Sequence, residues 1–215
     1  MKPSNQHILE TLIINKDYIE FKITPKSFNK LRKIIEDRYD KLGAGTKQNP
    51  IDFNDIDVSN LDSFCPKDIG IFEETQFKYI NISYWDVSNV KSMRRMFAKC
   101  EELESVGDIS EWNVSNVTDM SSMFYRCELL KSVGDISGWD VSKVINTNSM
   151  FNNYKKFNQD ISGWDVLNVI NMAFMFCNCE SFNKDVSKWN VSKVRYKSYA
   201  FDNCPIKDEY KPKFK

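Results

Sequence analysis

The sequence predicts a repeat solenoid, coils of 25–27 residues stacked behind an N-terminal α+β cap, and three observations predict it. All five tryptophans, Trp85, Trp112, Trp139, Trp164 and Trp189, open the same string, W-[DN]-V-[SL]-[NK]-V, at spacings of 27, 27, 25 and 25 residues. Eleven positions after each tryptophan stands a pair, Met96-Phe97, Met123-Phe124, Met150-Phe151 and Met175-Phe176, closing as Ala200-Phe201. Cys100, Cys127, Cys179 and Cys204 keep the same register, with Tyr154 in the slot of the missing member. A fixed period in this range marks architectures in which each unit buries its apolar face against its neighbours.

Residues 1–50 read as the cap. The stretch 18–23 alternates apolar and polar side chains, as a short half-buried strand does, and 8–14 is apolar but too short to type. Thr24-Pro25 signals a helix start, a capping hydroxyl followed by proline at the first helical position. Phe28, Leu31, Ile34, Ile35, Tyr39 and Leu42 recur at helical spacing opposite Lys30, Arg32, Lys33, Glu36 and Asp37, and Gly43 follows as a C-cap. The expectation is an amphipathic helix over 25–42 that covers the first coil, whose edge and core would otherwise meet solvent.

The coils occupy 51–204. The segment 56–61, I-D-V-S-N-L, matches the tryptophan string with Ile56 in place of Trp, so a degenerate first coil opens there. It carries Phe64 where later coils have their first Met, and an irregular stretch, 65–76, that reads as a loop or distorted coil. From Cys127 the long copies run C-x-x-L-x-x-V-G-D-I-S-x-W, and the two short ones contract to F-N-Q-D-I-S-G-W and F-N-K-D-V-S-K-W. The lost residues lie between the Leu or Phe and the Asp, where a strand and its turn absorb length. Short strands are therefore predicted at 103–109, 130–136, 157–161 and 182–186. Met120, Met123 and Phe124 sit at i, i+3 and i+4 and predict a single helical turn per coil. Residues 205–215 read as a loosely held charged tail.

Composition narrows the function. Lys plus Arg and Asp plus Glu number 30 each, so no net field draws in nucleic acid. The residues flanking the aromatics are Asp, Ser and Asn, not the basic groove that single strands require. Nucleic acid is not an expected partner. The first twenty residues lack a leader pattern and no window approaches 18 apolar residues, so the expectation is an intracellular chain without membrane insertion and with reduced thiols. Cys100 with Cys127 and Cys179 with Cys204 could approach disulfide distance across neighbouring coils, but free, buried thiols are favoured.

No catalytic, cofactor-binding or metal-binding residues are expected. His7 is the only histidine and lies outside the repeats, and Cys177-Asn178-Cys179 has no second ligand pair to make a zinc site. Phosphate loops, G-x-S-x-G and H-E-x-x-H are absent. Asp86, Asp140 and Asp165, with Asn113 and Asn190 in the same slot, read as turn makers that bond nearby backbone amides, as does the second column Asp108, Asp135, Asp160 and Asp185. Calcium is the alternative for that column, yet the repeats lack the Gly-Gly-x-Gly-x-Asp nonapeptide of calcium-binding rolls. The columns of Trp, of Phe97, Phe124, Phe151, Phe176 and Phe201, and of Cys are layers of one core. Partner contacts are expected where the copies differ: at Glu104, Lys131, Asn158 and Asn183 after the strand-leading Leu or Phe, and at Glu111 and Lys188 beside the tryptophans.

The motif W-[DN]-V-S-[NK]-V-x-x-M-x-x-M-F-x-x-C joined to F-N-x-D-[IV]-S-x-W resembles the BspA-like leucine-rich-repeat family over about 52–204. That repeat, of unknown function, occurs in bacterial surface lipoproteins and in viral and protist proteins. The helix followed by N-D-I-D-V-S-N, residues 54–60, is similar to the usual start of such arrays. The resemblance implies a leucine-rich-repeat-type solenoid of about five to six coils, protein–protein interaction or adhesion, and no enzymatic activity. It supplies no catalytic residues to carry over. The family's lipobox, leader and wall anchor are missing from this sequence, which sets the intracellular expectation against the family's surface location. The reading is a non-enzymatic interaction scaffold for a protein partner. The alternative is a structural, assembly or adhesion protein that works by end-to-end or surface contacts and self-associates, signalled by an uncovered apolar last coil at Cys204.

Overall fold

The structure is a computed structural model that describes residues 10–15 and 18–214, with side chains from residue 23 onward; His7 lies outside them. Strands β1 (Glu10–Asn15) and β2 (Tyr18–Ile23) pair antiparallel, with Glu10 opposite Ile23 and Asn15 opposite Tyr18. The strand read from alternation has the bounds observed for β2, and the apolar stretch left untyped is, from Glu10 onward, its partner. The end of β2 joins the repeats through a parallel bridge between Ile23 and Ile56, with the Asp57 N–H donating to the Ile23 carbonyl at 2.8 Å.

Helix α1 (Phe28–Leu42) starts three residues after the expected position. Ser27 is its N-cap, its hydroxyl accepting the Lys30 N–H at 3.3 Å. Thr24 and Pro25 are engaged elsewhere: the Thr24 hydroxyl donates to Asp57 at 3.4 Å, and the Pro25 carbonyl accepts from the Asn60 amide at 3.2 Å. Residues that signal a cap in sequence thus serve the junction with the first coil. Gly43 closes the helix at φ 73°, a left-handed conformation that glycine adopts without a Cβ penalty. Leu31 and Ile35 are fully buried in the same core as the repeats, Tyr39 packs edge-on against Phe77, and the Arg38 guanidinium lies 5.0 Å over the Phe53 ring.

Beyond α1, extended structure is confined to a two-residue parallel pair, β3 (Ile51–Asp52) with β4 (Ile80–Asn81), and to single parallel bridges in two rows. One row runs Ser63, Ser92, Asp119, Asn146, Asn171, Tyr196; the other runs Tyr79, Ser105, Ser132 and stops. Bridged positions are 25 to 29 residues apart, so each copy of the repeat lies alongside the next. The predicted strands at 103–109 and 130–136 shrink to one bridging residue each, Ser105 and Ser132, and those at 157–161 and 182–186 are not formed. Gly107 and Gly134, at φ 84° and 86°, turn the chain two residues after each bridge, and the short copies lack the Ser-Val-Gly segment altogether.

The Met-Phe segment is not a helical turn. It is a chain of overlapping β-turns, in which the N–H groups of Met123, Tyr125 and Cys127 return to the carbonyls of Met120, Ser122 and Phe124 at 3.1–3.2 Å. The alternate N–H groups, of Ser122, Phe124 and Arg126, donate at 2.8–3.0 Å to the carbonyls of Asn148, Met150 and Asn152 in the next copy. Ser122 and Arg126 hold φ of 55° and 58° to allow this, and the pair recurs as Arg95/Lys99, Ser149/Asn153, Phe174/Asn178 and Tyr199/Asn203. A left-handed residue other than glycine costs roughly 1 kcal/mol. Bonds between copies offset that cost, and for this reason the i, i+3, i+4 spacing does not produce a helix.

Phe72, Phe97, Phe124, Phe151, Phe176 and Phe201 form one stack, with successive centroids 5.4–6.0 Å apart and planes within 20°. Phe72 shows that the irregular stretch 65–76 rejoins the register of the later copies. The five tryptophans are buried, and those at 85, 139, 164 and 189 donate their indole N–H to the carbonyls of Phe53, Ile109, Ile136 and Ile161 at 2.8–3.2 Å. The thiols of Cys100, Cys127 and Cys179 donate to the carbonyls of Phe72, Phe97 and Phe151, and all six cysteines are free.

The tail is packed, not loose. Ile206 and Pro212 are buried, the Val186 N–H donates to the Tyr210 carbonyl at 2.9 Å, and Phe214 lies 6.5 Å from Phe201 at the end of the aromatic stack. Apolar side chains at both ends of the chain therefore reach the core: α1 at one end, the tail at the other.

Candidate functional site

The two-residue contraction that separates long from short copies makes a step in the surface. In the long copies the N–H groups of Ile82 and Ile109 donate to the carbonyls of Val106 and Val133 at 3.2 and 2.9 Å. The next copy has no such valine. There the Ile136 N–H donates instead to the side-chain oxygen of Gln159 at 3.0 Å. The lost apolar volume is made up by a larger residue at the preceding position, Phe157 or Phe182 in place of leucine. Phe157 stacks on Phe151 at 3.9 Å and Phe182 on Phe176 at 4.2 Å, keeping the interior close-packed.

The surface cannot follow the interior, and a hollow of about 560 Å³ opens between Lys131–Asp135 of the long copy and Lys156–Asp160 of the short one, over Tyr154 and Phe157. Past Lys131 and Ser132 it continues into a second hollow of about 410 Å³, bounded by Tyr79, Glu104, Gly107 and Lys47. The two form one furrow that crosses several copies. Its walls mix charges. Glu104 is ion-paired with Lys131 and accepts the Tyr79 hydroxyl at 2.5 Å, and these two bonds hold its carboxyl below the usual range. Asp135 and Asp160 lie low as well, because each accepts the N–H and hydroxyl of the serine two residues on, Ser137 and Ser162. All three are carboxylates at neutral pH. Burial pushes the Tyr154 hydroxyl upward, so it remains neutral beneath them.

Of the six residues marked in sequence as partner contacts, four fall on one line. Glu104 and Lys131 meet as a pair; the Asn158 side-chain oxygen accepts the Asn183 N–H at 3.1 Å, and that of Asn183 accepts the Lys207 N–H at 3.2 Å. Glu104, Lys131 and Asn158 line the furrow, whereas Glu111 and Lys188 are exposed but do not. Positions expected to contact a partner thus also tie successive copies together. Tyr79, Lys156 and Gln159 were not marked in the sequence; the change of spacing from 27 to 25 was the available signal. The aspartate columns make turns: Asp108, Asp135, Asp160 and Asp185 each accept the N–H of Ser110, Ser137, Ser162 and Ser187 at 2.9–3.0 Å. Among the described residues, no three His, Cys, Asp or Glu side chains gather closely enough to hold a metal ion, and no helix is long and apolar enough to cross a membrane.

Two overlapping segments, residues 44–135 and 129–209, match the model of a family described as Mycoplasma protein of unknown function, DUF285. Neither the curated proteins nor the solved structures contain a match.

Proposed function

The chain belongs to the family of Mycoplasma proteins of unknown function, DUF285, and we propose that it is a BspA-like solenoid of the leucine-rich-repeat type, a non-enzymatic scaffold that holds a protein partner along the furrow at the step between long and short copies. The observation that carries this reading is the furrow itself. It is open and walled by charges of both signs over the buried Tyr154 and Phe157, and one position on its wall changes from Glu104 to Lys131 to Asn158 along successive copies while the buried columns repeat. Such a surface suits a polypeptide segment that is read by side chains at several successive points.

The test is capture of partners from the native cell by the intact chain and by a Lys131→Glu, Lys156→Glu double variant with an unchanged melting temperature. Loss of the captured partners by the variant is expected. Equal capture by both overturns the assignment of this face.

A further inference from the structure

The last copy ends in an open backbone edge of one polarity. In every earlier copy the alternate N–H groups of the Met-Phe segment donate forward: those of Phe174, Phe176 and Asn178 reach the carbonyls of Ser198, Ala200 and Asp202 at 2.8–2.9 Å. Their equivalents in the last copy are the N–H groups of Tyr199, Phe201 and Asn203, which meet no carbonyl among the described residues. The tail does not fill this role. It closes the aromatic stack with Phe214 and pairs Tyr210 with Val186, on other parts of the copy.

The opposite end of the same rows presents carbonyls, and there the chain supplies its own cation. Arg32 of α1 donates to the Glu73 carbonyl, the row's first acceptor, at 3.3 Å, and to the neighbouring Gly70 carbonyl, which also accepts the Glu73 N–H of the turn, at 2.6 Å. Among the described residues no side chain accepts from the N–H groups at the donor end. Aligned N–H groups carry partial positive charge, and the local sequence is basic: between 189 and 204 the charged residues are Lys193, whose ammonium also donates to the Asn168 side-chain oxygen at 2.8 Å, Arg195, Lys197, which lies 5.5 Å over the Phe214 ring, and a single acid, Asp202. Tyr196 and Tyr199 stand 61% and 57% exposed beside this edge, and tyrosine with arginine is the composition of binding hot spots.

We propose that this edge docks an extended acidic segment of a partner polypeptide, which presents its carbonyls to the N–H groups of Tyr199, Phe201 and Asn203 and its carboxylates to Arg195 and Lys193, a mode of strand addition. It shares with the scaffold reading only the premise that the occupant is a polypeptide, and it lies on a different face from the furrow.

The experiment titrates the ¹⁵N-labelled chain with a nine-residue peptide of alternating Glu and Val, with the Lys–Val peptide as control, while following amide shifts and hydrogen exchange. Shifts at Tyr199, Phe201 and Asn203 are expected, with their exchange slowed by tenfold or more. Arg195→Glu with Lys193→Glu should weaken binding about tenfold or more, and the furrow variant should bind unchanged. The proposal is overturned if these amides are already protected without peptide, if they do not respond at millimolar peptide, or if Lys–Val acts equally. It also falls if shifts map only to Lys131 and Asn158, or if the same amides respond to protein concentration alone, which would make a second copy the occupant.

Discussion

Gln159 carries its side-chain oxygen to the Ile136 N–H at 3.0 Å, in the place where the Val133 carbonyl serves Ile109 one copy earlier. A side chain thus replaces the backbone that the short copy lacks. Gln159→Met keeps length and removes the acceptor, leaving the N–H of the buried Ile136 unpaired. The expected loss is about 1–3 kcal/mol in urea unfolding, and Gln159→Glu, which keeps an acceptor, should lose clearly less.

The tryptophan column offers an internal comparison. Trp139 donates its indole N–H to the Ile109 carbonyl at 3.2 Å, whereas the buried Trp112 indole N–H meets no partner among the described residues. Replacing each by phenylalanine removes similar ring volume, so Trp139→Phe should cost about 0.5–1.5 kcal/mol more than Trp112→Phe, the worth of one hydrogen bond. Equal losses in chemical denaturation would contradict this.

Ser122 sits at φ 55°, where asparagine is tolerated better than serine. Ser122→Asn should raise stability by about 0.5 kcal/mol, read as an increase in melting temperature.

Thiol reactivity should follow the columns. Burial pushes Cys100 up to about 12 and Cys127 and Cys179 well above the ordinary thiol range, and all three are enclosed. Cys177 and Cys204 are partly exposed. Alkylation at pH 8 followed by mass spectrometry should label Cys177 and Cys204 first, and Cys100, Cys127 and Cys179 only after denaturation.

Stability should form a plateau between two pH limits. Asp135, Asp140, Asp160 and Asp185 are held low by bonds from their serines, and Glu73, which burial alone would raise, is brought low by Arg95 and the Gly70 N–H. A depressed carboxyl contributes stability above its unfolded value, about 4, and loses it as pH falls through the folded value. The raised thiols act in the opposite sense: their contribution is complete below about 8.5 and is lost as pH rises towards their folded values. The melting temperature should therefore be level from about pH 5 to 8 and fall on either side.

The sequence by itself determined the period, the buried columns, the amphipathic helix and strand of the cap, and the turn-making aspartates. Each of these is a local pattern of apolar spacing or side-chain reach that recurs from copy to copy. It marked Glu104, Lys131 and Asn158 by their variation, but not the furrow they line.

The tertiary structure decided what depends on hydrogen bonds between copies. Only neighbours 25–29 residues away convert the Met-Phe spacing from a helical turn into left-handed turns that donate outward, and only they reduce the expected strands to single bridges. The same bonds set Gln159 in place of a backbone carbonyl, and they leave Tyr199, Phe201 and Asn203 pointing from the last copy with nothing described to receive them. A backbone N–H has the same character at every residue, so no pattern of letters could tell which ones would be left open.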